Sequence, residues 1–248
     1  MNEDLSVWTR SARPPDLTLA YGDEADQVAD IRYGARGSEL PLVVLIHGGF
    51  WKPEYDRVHV AAMSNALAEA GWTTLTLEYR RVSGEPDLTL HDMATAFEVL
   101  PDRVERHNDQ VLLIGHSAGG HLALWVAAQS ANLHSHVRLQ GVLALAPAAD
   151  LQMAHAMNLG DAAVHRFLGE VPLNRPDVNP MCLPAPSVAV TIVQGGEDEI
   201  VPPAIAKSYC AAFPNTRLVQ LSGSGHFALI DPASAAWETV LRELKSLG

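Results

Sequence analysis

Val111-Leu112-Leu113-Ile114-Gly115-His116-Ser117-Ala118-Gly119-Gly120 decides how this chain is read. Its first four residues are apolar and β-branched at both ends, as in a short buried strand. From Ser117 to Ser130 the sequence is apolar on nearly every side (Leu122, Ala123, Leu124, Trp125, Val126, Ala127), as in a helix buried beneath other layers. Between them, Gly115-His116-Ser117-Ala118-Gly119 fits G-x-S-x-G. This is a strand-to-helix turn so sharp that the residues two before and two after the serine must be tiny, or their side chains would strike neighbouring backbone. The helix N-terminus under Ser117 supplies partial positive charge where an oxyanion would form. Three fixed positions also fit a serine N-cap at a plain turn, so the flanking sequence must decide.

Upstream, the apolar strand Leu42-Val43-Val44-Leu45-Ile46 runs into His47-Gly48-Gly49-Phe50-Trp51. Glycines there let main-chain N–H groups face a developing negative charge with no Cβ in the way. The expected oxyanion hole is the amide of Ala118 with that of Gly48 or Gly49. Downstream, Gly195-Gly196-Glu197-Asp198-Glu199-Ile200-Val201-Pro202 follows the strand Val188–Val193. Asp198, three residues after Gly195 and four before Pro202, is the expected acid; Glu197 and Glu199 read as loop carboxylates. After the last strand, Arg217–Leu221, comes Gly223-Ser224-Gly225-His226-Phe227. Its histidine has no core to fill and is the expected base, with Asp198 orienting and stabilising the imidazolium rather than accepting its proton. Among the other histidines, His116 is read as facing away from the chemistry. His155 and His165 are read as surface groups or substrate contacts, and His134 and His136 as a polar loop. No H-E-x-x-H or comparable metal spacing occurs, and no metal or other cofactor is expected.

The rest of the chain alternates strands and helices. Leu17–Tyr21 and Gln27–Tyr33 read as an antiparallel edge pair and Trp72–Leu77 and Val142–Leu145 as further strands. Helices are expected from Val58 to Ala70, Leu90 to His107 with Pro101 a kink or break, Pro202 to Phe213, and Pro232 to Leu247. This rhythm implies an α/β fold, a mostly parallel twisted sheet with helices on both faces, in a single domain over residues 1–248. Asp150 to Pro186 breaks it, with no convincing strand and five prolines, and reads as a lid insertion. Its Met153, Met157, Phe167 and Met181 either face substrate or pack on the body.

The 248 residues carry 17 Lys+Arg against 29 Asp+Glu, a formal charge of −12, which disfavours nucleic acid and anionic membrane surfaces as partners. No basic-then-apolar leader opens the sequence and no apolar run is long enough to span a membrane, so a cytoplasmic protein with Cys182 and Cys210 reduced is expected. Oligomeric state is open, a homodimer included.

The order Ser117, Asp198, His226 resembles that of the α/β-hydrolase superfamily, over essentially the whole chain. More narrowly, His47-Gly48-Gly49-Phe50-Trp51 is similar to the H-G-G-x-W pattern of kynurenine formamidases (arylformamidases) and of esterases related to hormone-sensitive lipase. Gly115 through Leu122, Tyr21-Gly22-Asp23-Glu24-Ala25-Asp26-Gln27 and Glu78-Tyr79-Arg80 are similar to stretches of the same group. The resemblance implies Ser117, Asp198 and His226 as a catalytic triad, Gly48, Gly49 and Ala118 at the oxyanion hole, and a small-molecule ester or formamide as substrate. An arylformamidase acting on N-formyl-kynurenine and a short-chain carboxylesterase are the two expected activities. Phe50, Trp51 and Phe227 are candidate substrate contacts, core packing being the other reading of Trp51. A non-catalytic ligand-binding relative would lack the base, and a dehalogenase would carry a carboxylate at position 117.

Overall fold

The computed structural model describes residues 3–130 and 138–248, so His134 and His136 lie outside it. Eight strands form one sheet: β1 (Leu17–Ala20), β2 (Val28–Arg32), β3 (Leu42–Ile46), β4 (Thr74–Leu77), β5 (Gln110–His116), β6 (Arg138–Leu145), β7 (Ala189–Gly195) and β8 (Arg217–Leu221). Their order is β1-β2-β4-β3-β5-β6-β7-β8. The pairs β1–β2 and β2–β4 are antiparallel and all others parallel, as the edge-pair reading expects.

Every residue of β3 and β4 is buried, because helices cover both faces of a parallel sheet. Strand alternation divides the core. Leu42, Val44 and Ile46 face α2 (Pro86–Val99), α3 (Ala118–Gln129) and α6 (Pro203–Ala212) through Met93, Phe97, Leu122 and Ile205. Val43 and Leu45 face α1 (Ala61–Glu69) and α7 (Trp237–Lys245) through Met63, Leu67, Val240 and Leu244.

Three helix boundaries differ from expectation. The segment expected from Val58 begins as a 3-10 turn over Arg57–Val60, where the Asp56 side chain caps the Val58 N–H. The helix expected over Leu90–His107 starts earlier, with Pro86 in its first turn, and ends at Val99; Pro101 opens a separate 3-10 turn. The last helix begins at Trp237 rather than Pro232, because Asp231 and Ser234 bind nearby main chain and hold 231–236 as turns.

The 150–186 insertion contains α4 (Leu151–Ala156), α5 (Leu159–Leu168) and 3-10 turns at Pro172–Asn174 and Pro180–Cys182. Leu151, Ala154, Val164, Phe167, Leu168 and Val178 join the main core, so this segment packs on the body. Met153 and Met181 lie partly buried against that core, whereas Met157 is exposed. Cys182 and Cys210 are free thiols.

Candidate active site

The sheet brings separate loops to one edge. The last β3–β5 pair is Ile46 with Gly115, so residues 47–49 leave the sheet beside 116–118. Leu145 of β6 pairs with Val193 of β7, and Gly195 with Leu221 of β8, so the loops carrying Asp198 and His226 leave at the same end. The chain reverses its direction of travel across the sheet between β3 and β5, and clefts at such reversals are where open α/β sheets bind ligands.

Ser117 has φ 57° and ψ −117°, a conformation that L residues rarely adopt. The surroundings enforce it. Its N–H donates to the Leu145 carbonyl at 2.9 Å, and its own carbonyl accepts from Ala148 at 3.1 Å. A Cβ on Gly115 would lie 2.2 Å from the Gly119 carbonyl oxygen, and a Cβ on Gly119 would lie 2.2 Å from that of Ile46. Both glycines are therefore required sterically, as the motif implies. Gly48 lies against the serine: a Cβ there would sit 3.0 Å from Ser117 Cβ. Ala118 supplies the first N–H of α3, which has no partner within the helix.

His226 and Asp198 are buried and joined through Nδ1 and Oδ2 at 2.7 Å. A carboxylate can only accept, so Nδ1 carries the proton and Nε2 is the free basic nitrogen. Asp198 is held from three further directions. Ile200 and Val201 donate their N–H groups to Oδ1 at 2.9 and 2.8 Å, and the Gln194 amide donates to Oδ2 at 3.1 Å. Glu197 and Glu199 of the same turn point outward and are exposed.

Ser117 and His226 line one pocket of about 200 Å³, together with Gly49, Phe50, Ile200 and Phe227. Trp8, Tyr55, His59 and His116 complete its lining, and none of these four is predicted from sequence. The reading of His116 needs correction: its ring lies 4.5 Å from that of His226 and its Nε2 donates to the His226 carbonyl at 3.2 Å. His116 Nδ1 is then an acceptor, 3.4 Å from Nε2 of His59. Burial pushes the His116 imidazole well below its usual range and brings His59 down to about 3, so both are neutral near pH 7.

Trp51 also needs correction as a substrate contact. Phe50 and Trp51 have φ 55° and 54°, and this left-handed run turns the Trp51 side chain into the core. The indole stacks on Phe167 of α5 at 4.7 Å and meets the His121 ring of α3 edge-on at 5.2 Å, with its Nε1 buried and unpartnered.

The loop after β3 rests on a buried polar network. His47 Nδ1 contacts the Gly48 carbonyl at 2.7 Å, and its Nε2 meets Glu78 at 3.0 Å. The Tyr79 hydroxyl donates to the His47 carbonyl at 2.8 Å, and Arg81 contacts the Glu78 carboxylate. Burial alone would raise the Glu78 carboxyl, but the His47 hydrogen bond and the Arg81 charge bring it down to about 2. The other stretches singled out above brace this region rather than the pocket. Tyr21 donates to the Glu78 carbonyl at 2.7 Å, and Gln27 and Arg80 meet on Asp92.

Chemically, the arrangement offers a hydroxyl on a strained turn, an imidazole backed by a carboxylate, and main-chain amides beside the hydroxyl. A family model described as BD-FAE matches residues 30–212. Esterase B from Lactobacillus rhamnosis, solved inhibited by a tributyrin phosphonate, is similar with a TM-score of 0.79 at 20% identity, over 98% of this chain and 89% of that one. A truncated carbohydrate esterase from gut microbiota has a TM-score of 0.77 at 14% identity, over 95% of this chain and 99% of that one. A thermophilic esterase from the planctomycete Thermogutta terrifontis has a TM-score of 0.71 at 17% identity, over 95% and 94%. Likeness at these identities is likeness of fold.

Proposed function

The chain belongs to the BD-FAE family and has the α/β-hydrolase fold, and on that premise we propose that it is a serine hydrolase removing a small acyl group from an ester. The observation that carries the proposal is Ser117, held at φ 57° in the same pocket as His226, whose Nδ1 lies 2.7 Å from Asp198 Oδ2. In this reaction Ser117 Oγ attacks the carbonyl carbon while His226 Nε2 takes its proton. Ala118 N–H, with that of Gly48 or Gly49, receives the charge on the carbonyl oxygen. The intermediate collapses, the bond to the leaving oxygen breaks, and the His226 proton passes to it. Water then attacks the acyl-serine, giving its proton to His226. This second intermediate collapses, the bond to Ser117 Oγ breaks, the His226 proton passes to that oxygen, and the acid is released.

The pocket favours an ester over N-formyl-kynurenine. Among the described residues its lining holds no Asp, Glu, Lys or Arg, so nothing there pairs with an amino acid's ammonium and carboxylate. Arylformamidase activity is the second reading, supported by the H-G-G-x-W likeness, although Trp51 serves the core here. The test compares kcat/KM for N-formyl-kynurenine with that for p-nitrophenyl acetate and butyrate on one preparation. Turnover of the esters, abolished in Ser117→Ala, is expected. Faster turnover of the formamide would reverse the ranking, and near-parental rates in Ser117→Ala would end the mechanism.

A further inference from the structure

The segment before β1 is built into the site. Ser6–Thr9 forms a 3-10 turn outside the sheet, attached by side chains. The Glu3 carboxylate accepts the His226 N–H at 2.9 and 3.0 Å, and Val7 is buried in the core on the α1 and α7 side. Arg10 pairs with Asp231 at 2.9 Å. These anchors leave Trp8 over the pocket, its ring 5.5 Å from Phe227, 5.9 Å from Tyr55 and 6.0 Å from His59. The Trp8 residue is nonetheless 48% exposed.

An exposed tryptophan is unremarkable alone, but this one has an open flank on a pocket that already presents aromatic rings around it. Its neighbour Phe227 follows His226 directly, and Glu3 holds the His226 main chain, so Trp8 is tied to the loop that carries the base. The leaving group departs toward that loop, because His226 protonates it. We infer that Trp8 is a specificity-determining residue that packs against the leaving group and selects esters of flat, uncharged aromatic alcohols. The inference rests on the serine-hydrolase reading for its chemistry but not for its binding.

The experiment compares the parent, Trp8→Ala and Trp8→Phe on phenyl acetate and ethyl acetate, with circular dichroism to verify folding. The preference for phenyl over ethyl, as a ratio of kcat/KM, is expected to fall about five- to tenfold in Trp8→Ala, the size of one aromatic contact. Trp8→Phe should restore most of it, which a merely structural role would not do. Phenol binding to Ser117→Ala, measured by calorimetry with and without Trp8→Ala, reads the contact without turnover and should weaken by a similar factor. An unchanged ratio together with unchanged phenol affinity overturns the role of Trp8 and leaves the hydrolase reading intact. Weakened phenol binding in a parent that cleaves neither ester overturns the hydrolase reading and keeps Trp8 as a ligand contact.

Discussion

Gly119→Ala sets two effects against each other with opposite signs. Gly119 lies in the first turn of α3, where alanine is favoured over glycine by about 1 kcal/mol. Against this, the new Cβ would meet the carbonyl oxygens of Ile46 and His47 at 2.2 and 2.4 Å. Those atoms are main chain at the end of the buried strand β3 and have no rotamer to change, so α3 or β3 must move by about an ångström. Overpacking costs about 1–3 kcal/mol even where side chains can yield. Taking the upper part of that range and subtracting the helix gain, we expect a net loss of about 2 kcal/mol, or a fall in Tm of about 4–8 °C for a domain of this size. The displacement falls on the His47–Gly49 loop, where an ångström of misplacement can reduce kcat by about 100-fold. Urea unfolding, scanning calorimetry and steady-state kinetics on p-nitrophenyl acetate measure all three. Gly223→Ala is the control. Its φ is +72° but nothing lies within 4 Å, so only conformational strain of about 1 kcal/mol should register, with activity kept. A Gly119→Ala protein as stable as the parent and fully active would refute the steric account of the turn.

Asp198→Asn preserves the shape of the acid while disturbing the His226 tautomer, and kcat should drop about 10⁴-fold with KM little changed; a loss under tenfold would argue against its role. Glu78 is held down to about 2, so its stabilisation is complete above its unfolded value of 4.5 and lost as pH falls toward 2. Glu78→Gln should therefore cost about 3 kcal/mol near pH 7, partly through the unpaired Arg81, and the difference from the parent in urea unfolding should shrink below pH 4.5. His121, buried beside Trp51, is brought down to about 4 by burial, so the unfolded chain takes up a proton below 6.5 that the folded one refuses. Its share of stability falls by about 1 kcal/mol per pH unit between 6.5 and 4, and His121→Gln, which can still donate to the Val178 carbonyl, should flatten that slope.

What was legible in the sequence was local. The strands Leu42–Ile46 and Arg217–Leu221 are bounded as read, because buried parallel strands are continuous apolar runs and β8 is closed by glycine. Ser117, Asp198 and His226 are each marked by a few neighbouring residues at a strand's end, and the structure brings Ser117 and His226 to one pocket with Asp198 against His226. What escaped depends on contacts with no local trace. Glu3 and His226 are 223 positions apart, and His59 and His116 are 57 apart. His116 carries no such local mark: a residue beside the serine can turn either way, and its direction is decided by the His226 carbonyl across the sheet. Trp51 could be placed in a tight loop, but its side-chain direction follows from two successive left-handed residues that nothing in the composition of Phe50-Trp51 announces. Pro101 and Asp231 moved helix ends through turn chemistry that apolar periodicity does not see.

The Trp51–Phe167 stack has a bearing on how such a site can diversify. Phe167 comes from the 150–186 insertion, Trp51 from the loop after β3, and His121 from the first turns of the helix behind Ser117. A Cβ on Gly160 of the same insertion would lie 2.4 Å from the Phe50 ring. The insertion and the loop that faces the nucleophile are thus one mechanical part. Grafting a foreign insertion to change substrate scope would remove the ring that Trp51 leans on and loosen the amides beside Ser117. Trp8 meets the pocket from a segment outside the sheet, so a library confined to Trp8 itself, with Glu3, Val7 and Arg10 kept as its anchors, would alter selectivity while leaving the machinery around Ser117 in register.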